Sequence, residues 1–129
     1  MSPQKISVIS PVYGAAGLLP ELISRIGRTV QQITSDYEII LVDDNSPDES
    51  WEVIKQLAEN NNRIIGLSLS RNFGQQNALN AGFDHSSGDF VVTLDCDLQD
   101  EPENIIHLFN KAKEGFDIVF ASRVKRQDG

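Results

Sequence analysis

Five short apolar runs divide this chain. They are Ile6-Ser7-Val8-Ile9-Ser10, Glu38-Ile39-Ile40-Leu41-Val42, Ile64-Ile65-Gly66-Leu67-Ser68-Leu69, Phe90-Val91-Val92-Thr93-Leu94 and Asp117-Ile118-Val119-Phe120-Ala121. Each is nearly continuous rather than alternating, which is the pattern of strands buried on both faces. The stretches between them have helical periodicity. Leu18, Leu19, Leu22, Ile23, Ile26, Val30 and Ile33 predict a helix over about 17–33. Trp51, Ile54, Leu57 and Ala58 mark a second helix. Its start signal is Ser46-Pro47-Asp48-Glu49, with Ser46 expected to cap, Pro47 in the first turn and Glu49 reaching back. Ala78, Leu79, Gly82 and Phe83 line a third over 73–85. Ile105, Ile106, Leu108, Phe109 and Ala112 line a fourth, capped by Asp100 or Glu101. Strands alternating with helices specify an α/β chain: a Rossmann-like α/β/α sandwich around a mainly parallel sheet.

The chain has 129 residues, the size of one domain, and we read 1–129 as such. Its one cysteine, Cys96, rules out an intrachain disulfide and points to a reducing, cytoplasmic setting. No run of 18 apolar residues is present, and MSPQKISVISPVY lacks the apolar core of a signal peptide. The formal net charge of −8 argues against nucleic acid as a partner, because phosphate backbones are bound by an excess of Lys and Arg. A small anion remains compatible if a metal ion or a local basic cluster, such as Arg123, Lys125 and Arg126, offsets the charge.

In open parallel sheets ligands bind beyond the carboxyl ends of the strands. Polar clusters collect there: Pro11-Val12-Tyr13, Asp43-Asp44-Asn45-Ser46, Ser70-Arg71-Asn72, Asp95-Cys96-Asp97 and Arg123. The stretch LDCDLQDEPE, residues 94–103, places five carboxylates in ten positions, and crowded carboxylates resist ionising together. In extended backbone Asp95 and Asp97 point the same way and could share one divalent cation, magnesium or manganese, with Gln99 as a neutral oxygen. The spacing does not fit an EF-hand calcium loop. Capping of the following helix is the simpler account of Asp100, Glu101 and Glu103. Cys96, between the two acids, should point away and pack. The Asp43-Asp44 pair could accept hydrogen bonds from a base and a ribose, or Asp44 or Asn45 could form an Asx-turn leading to the Ser46 cap, and both can hold at once with different residues. Tyr13 could stack on a base or pack beside the first helix. Asn72 and Gly74 precede a helix start that could approach an anion. Trp51 reads as core.

Four ordered motifs carry a resemblance: Ile9-Ser10-Pro11-Val12-Tyr13, Val42-Asp43-Asp44-Asn45-Ser46-Pro47-Asp48, Leu69-Ser70-Arg71-Asn72-Phe73-Gly74 and Leu94-Asp95-Cys96-Asp97-Leu98-Gln99-Asp100. Together they resemble the family 2 inverting glycosyltransferases. Ser-Arg-Asn-Phe-Gly with Asp-Leu-Gln-Asp is similar to the polyprenyl-phosphate and dolichyl-phosphate branch. The resemblance spans Ile6 to Arg123. It implies a glycosyltransferase A-type fold, a nucleotide-diphosphate sugar donor (UDP favoured, GDP possible), a divalent metal and a lipid-phosphate acceptor. By the same resemblance Pro11, Tyr13, Asp43, Asp44 and Asp95 hold the nucleotide, and Asp95, Asp97 and Gln99 hold metal and diphosphate. Asp95, Asp97 and Arg123 would carry the catalytic charge, Arg123 approaching the diphosphate or the lipid phosphate. The implied reaction is attack of a phosphate oxygen on the anomeric carbon opposite the departing diphosphate, with inversion.

Two departures from the family pattern stand out. An acidic residue usually follows Pro-x-Tyr, and here the run is Gly14-Ala15-Ala16-Gly17. The family also continues past the length of this chain into acceptor-binding elements and, in this branch, membrane helices. The expectation is therefore the donor-binding half of a longer protein at the cytoplasmic face of a membrane, weakly active or inactive alone. A non-catalytic nucleotide-sugar-binding domain stays open. A sugar nucleotidylyltransferase fits less well, since Ser10-Pro11-Val12-Tyr13-Gly14 has no basic residue for a triphosphate. A receiver domain needs its acidic pair after the first strand, and here the pair follows the second.

Overall fold

A computed structural model describes residues 5–97, 101–113 and 118–120 of the chain. Five parallel strands form one sheet in the order β3-β2-β1-β4-β5, with β1 Ile6–Val12, β2 Tyr37–Asp43, β3 Ile64–Ser68, β4 Phe90–Thr93 and β5 Ile118–Phe120. Between them lie α1 Leu19–Val30, α2 Ser50–Asn60, α3 Gln75–His85 and α4 Ile105–Lys113, the last preceded by a 3₁₀ turn at Pro102–Asn104. The expected α/β/α order is thus observed. β1 and β2 are longer than their apolar runs, because Pro11 and Val12 on one and Tyr37 and Asp43 on the other are still paired in register, up to Val12↔Asp43.

Pro11 lies inside the central strand β1, where a missing N–H is usually costly. Ile9 O accepts from Leu94 N–H on the β4 side, and Val12 O accepts from Asp44 N–H on the β2 side, both at 2.9 Å. Alternation turns Pro11 toward β4, whose pairing with β1 ends at Ile9↔Thr93. No rung is lost there.

The two faces have separate cores. On one, Leu19, Leu22, Ile26 and Val30 of α1, Ile54 of α2, and Ile105 and Phe109 of α4 meet Ile6, Val8, Val12, Ile39, Leu41 and Val92. On the other, Ala78 and Leu79 of α3 meet Ile9, Ile40 and Val42. Burying each large side chain contributes about 1.5–3 kcal/mol, so the α1 face dominates the stability. Trp51 is half-buried against that core, as expected.

α2 begins at Ser50, four residues later than its sequence signal, and Glu49 makes no capping hydrogen bond. Ser46 is instead drawn back to β2: its N–H and hydroxyl donate to Asp43 Oδ2 and Oδ1 at 3.2 and 2.6 Å. Asn45 makes that turn in the left-handed region, φ 56°, which asparagine tolerates better than most residues.

At the amino end of the sheet Glu38 is buried on β2. Its Oε2 accepts from the Ser7 hydroxyl at 2.6 Å and the Ser87 N–H at 2.8 Å, and Lys5 Nζ lies 3.5 Å from Oε1. Burial alone pushes this carboxyl up; the Ser7 and Ser87 donors and the Lys5 charge together outweigh it and hold it below the ordinary value of 4.5. A lowered folded value means the stabilisation is complete above the unfolded value and is lost as pH falls through the folded one. Between about pH 5 and 3, urea stability should therefore fall less steeply in Glu38→Gln than in the parent chain.

Candidate nucleotide site at the carboxyl ends of the strands

The strand ends carry their polar clusters onto one rim, and an open pocket of ≈ 360 Å³ lies there. Pro11, Val12 and Tyr13 line it from β1, Asp44 from β2, Asn72, Gly74 and Gln75 from the β3–α3 connection, and Asp95, Cys96 and Asp97 from β4. Four of the expected nucleotide residues, Pro11, Tyr13, Asp44 and Asp95, thus come together with Asp97. Asp43 does not line the pocket. It is buried as the last residue of β2, and its carboxylate is engaged by Ser46. In the structure it braces Ser46 beneath the rim as an Asx-type turn. Gln99 and Arg123 lie outside the described residues.

Asp44 is also largely enclosed, 5% exposed, but it faces the pocket. Its Oδ1 accepts from Phe73 N–H at 2.8 Å and its Oδ2 from Gly74 N–H at 3.0 Å. One carboxylate from β2 thereby pins the start of α3. Gly74 is the residue just before α3, at φ 98°, a backbone state open to glycine and strained for other residues. Each oxygen of Asp44 keeps a further lone pair for a ligand donor.

Tyr13 is 53% exposed at the pocket mouth, so of its two sequence readings packing beside α1 is not the one adopted. The run that replaces the usual acid is held by the β2–α2 connection and the first residue of α2. Gly14 N–H donates to Ser46 Oγ at 3.0 Å, Ala15 N–H to Ser50 Oγ at 3.0 Å, and Ala16 N–H to Asp48 Oδ2 at 3.4 Å. Asp48 Oδ1 in turn accepts from the Ser50 hydroxyl at 2.6 Å and Ser50 N–H at 3.0 Å, and these donors hold the Asp48 carboxyl below its ordinary value. Small residues at 14–16 leave their N–H groups accessible to these side chains.

β4 ends at Thr93, so Asp95–Asp97 lie beyond it, with Cys96 and Asp97 in a turn. Asp95, Cys96 and Asp97 all border the pocket. Cys96 is buried and packs into the α1-side core, the packing role expected of it. Burial, and then the charges of Asp97 and Asp95, push its thiol up against a backbone donor from Tyr13. A thiol so raised is a poor nucleophile. Asp95 Oδ1 accepts from Gln75 Nε2 at 3.1 Å, a partner that no sequence motif marked. Beyond the pocket, Glu103 takes a two-pronged hydrogen bond from Arg25 of α1, at 2.6 and 3.0 Å, which joins the 3₁₀ turn to α1. Glu101 makes no capping bond at that turn.

The described residues contain no group of three His, Cys, Asp or Glu side chains arranged to hold a metal. Two aspartates at one pocket suit a magnesium-like ion, which takes one or two carboxylates and completes its octahedron with water and substrate phosphate. They do not suit an all-protein cage. The residues present therefore fit a cation that arrives with a diphosphate.

The family model for glycosyl transferase family 2 matches residues 7–129. The chain belongs to glycosyl transferase family 2. Curated family 2 relatives include the undecaprenyl-phosphate 4-deoxy-4-formamido-L-arabinose transferases of Enterobacter sp. (strain 638), 49% identical over 125 residues, and of Photorhabdus laumondii, 45% identical over 126. Those matches cover 96% and 97% of this chain but 38% and 39% of the relatives, so the chain spans less than half of their length. Among solved structures, the Pyrobaculum calidifontis mannosyltransferase PcManGT in complex with GDP-Man and Mn2+ aligns with TM-score 0.70 and 24% identity, over 82% of this chain and 31% of that one. S. aureus TarS 1-349 in complex with UDP-GlcNAc aligns with TM-score 0.62 and 21% identity, over 83% and 31%. At those identities the likeness shows the fold, which is the glycosyltransferase A type.

Proposed function

We propose that this chain is the donor-binding part of an inverting glycosyltransferase that takes a sugar from a nucleoside-diphosphate sugar to a polyprenyl phosphate, with a divalent metal. We take 1–129 as one nucleotide-sugar-binding domain. The observation that carries the reading is the pocket itself: Tyr13, Asp44, Asp95 and Asp97 meet at the carboxyl ends of β1, β2 and β4 in a family 2 chain. The named activity of the curated relatives supports the acceptor class.

Tyr13 offers an exposed ring on which a base can stack. Asp44 offers acceptor lone pairs to a base N–H or a ribose hydroxyl. Asp95 and Asp97 would hold the cation. When bound, that cation supplies Lewis-acid stabilisation of charge on the departing diphosphate, worth several kcal/mol. A phosphate nucleophile is already ionised near neutral pH, so no strong general base is required of this chain. UDP is favoured over GDP, and Gln99 and Arg123 keep their expected roles at the diphosphate. Among the described residues no helix is long and apolar enough to cross a membrane. We place the protein at the cytoplasmic face of a membrane on the strength of its acceptor class. The chain alone should bind nucleotide weakly and transfer little sugar.

Calorimetric titration with UDP and with GDP, each with and without Mn2+, tests the reading. Binding of one nucleotide that strengthens with Mn2+ is expected. Equal binding with and without the metal would remove the cation from the site, and robust transfer by the isolated chain would remove the need for an acceptor half.

A further inference from the structure

Gln75 is the first residue of α3, and it reaches a residue 20 positions later in the chain. Its Nε2 donates to Asp95 Oδ1 at 3.1 Å. A carboxylate oxygen only accepts, so the nitrogen end of the amide is the end turned to Asp95. The backbone from which Gln75 reaches is itself fixed. Asp44 takes the N–H groups of Phe73 and Gly74 at 2.8 and 3.0 Å, Asn72 Oδ1 shares the Gly74 N–H at 3.1 Å, and Asn77 Nδ2 donates to Phe73 O at 2.8 Å. α3 then packs Ala78 and Leu79 onto Ile9, Ile40 and Val42. A braced helix start thus presents an amide to a carboxylate that stands beyond the last residue of β4, just before a turn.

We infer that Gln75 is a positioning residue: its amide sets the rotation of the Asp95 carboxylate toward the pocket, and Asp44 sets where Gln75 stands. The acid of the second strand end is thereby coupled to the acid of the fourth through two backbone amides and one side chain. This inference rests on reading the pocket as the nucleotide and cation site. Partners that orient a metal-binding side chain typically govern affinity for the metal by about 10- to 100-fold.

The test compares the whole chain with Gln75→Leu, which removes the donor at similar length. Titration with the preferred nucleoside diphosphate, with and without Mn2+, should show the Mn2+-dependent part of the affinity reduced about 10-fold. The metal-free affinity and the thermal midpoint should stay as in the parent. Mn2+-dependent binding equal to the parent would overturn the inference, and so would an equal loss with and without metal, which would mark Gln75 as a ligand contact or a fold residue. A second measurement needs no ligand. In the metal-free chain, the Gln75 side-chain NH2 resonances should shift in Asp95→Ala and hold still in Asp97→Ala. If the parent itself shows no Mn2+ dependence, the reading of the site fails, and the resonances alone decide whether Gln75 holds Asp95.

Discussion

Asp97→Ala is expected to weaken Mn2+-dependent nucleotide binding about 100-fold, or ~2.8 kcal/mol at 1.4 kcal/mol per decade, and to leave the fold intact. Asp97 is exposed in the turn after β4 and adds nothing to either core, so its removal should move the thermal midpoint little. Its effect on the ligand has a sign that separates the two accounts of the acidic stretch. Without a cation, a carboxylate at the pocket repels a diphosphate, and the whole chain already carries a net charge of −8. Alanine should then leave metal-free binding unchanged or slightly stronger. With a cation, the same carboxylate is one of the protein's few ligands, and alanine should weaken binding steeply. Opposite responses in the two buffers belong to a metal-bridged diphosphate. A small response of the same sign in both would return Asp97 to the role of a solvated acid near a helix start. Asp95→Ala should reproduce the loss, and it also releases Gln75, so Asp97 gives the cleaner measurement.

The strands and helices were legible because burial on two faces and burial on one stripe leave different periods in a sequence. Boundaries were less so, since Asp43 and Val12 are polar or bulky ends that only strand pairing assigns to the sheet. The site shows where local reading stops. Asp43 and Asp44 are identical neighbours, yet one braces Ser46 below the rim and the other faces the pocket. The difference lies in their partners: Ser46 for Asp43, and the Phe73 and Gly74 N–H groups for Asp44. Ser46 had the right neighbours for a helix cap, but a carboxylate three residues back competes for it, and a short Asx turn closes more cheaply than a helix start. Asp95 and Asp97 were marked by charge density, by their place after the fourth apolar run and by the family motif, and both reach the pocket from beyond the last residue of β4. Gln75 carried no mark. A glutamine at the start of a helix is common, and its meaning comes from the strand order. α3 leaves the sheet's edge at β3 and returns at β4, beyond β2 and β1, so its first turn crosses the rim where β4 ends. The signal that could have found it is positional: the first residue after the Ser70–Gly74 motif, in the helix that crosses the sheet.

The amino end of the sheet holds the second large effect. Gly88→Ala should destabilise the protein by about 3 kcal/mol and lower its thermal midpoint by about 10 °C. A Cβ at this position would stand 2.6 Å from the backbone N of Ser7, 2.6 Å from Ser7 Oγ and 3.0 Å from the carbonyl carbon of Ile6. Two of those atoms are backbone of β1, which is paired on both sides here, Ile6↔Tyr37 and Ile6↔Phe90. They cannot yield as a flexible side chain would, so the turn before β4 must move instead. That turn carries the bonds of Asp89 and Phe90 N–H to Lys5 O, at 2.7 and 3.1 Å, and of Gly88 N–H to Ser7 Oγ at 2.8 Å. Ser7 Oγ is the donor that Glu38 depends on, and Ser87 N–H is another. Displacing them would leave a buried carboxylate short of partners, which costs more than the steric contact itself. Urea titration should show a lower midpoint with an unchanged slope, the mark of lost stability without a changed denatured state. A midpoint within error of the parent would show that the turn relaxes freely. Nucleotide binding, at the opposite end of the same strands, should be untouched wherever the variant is folded. Loss of affinity in folded Gly88→Ala would mean instead that the two ends of β1 are coupled.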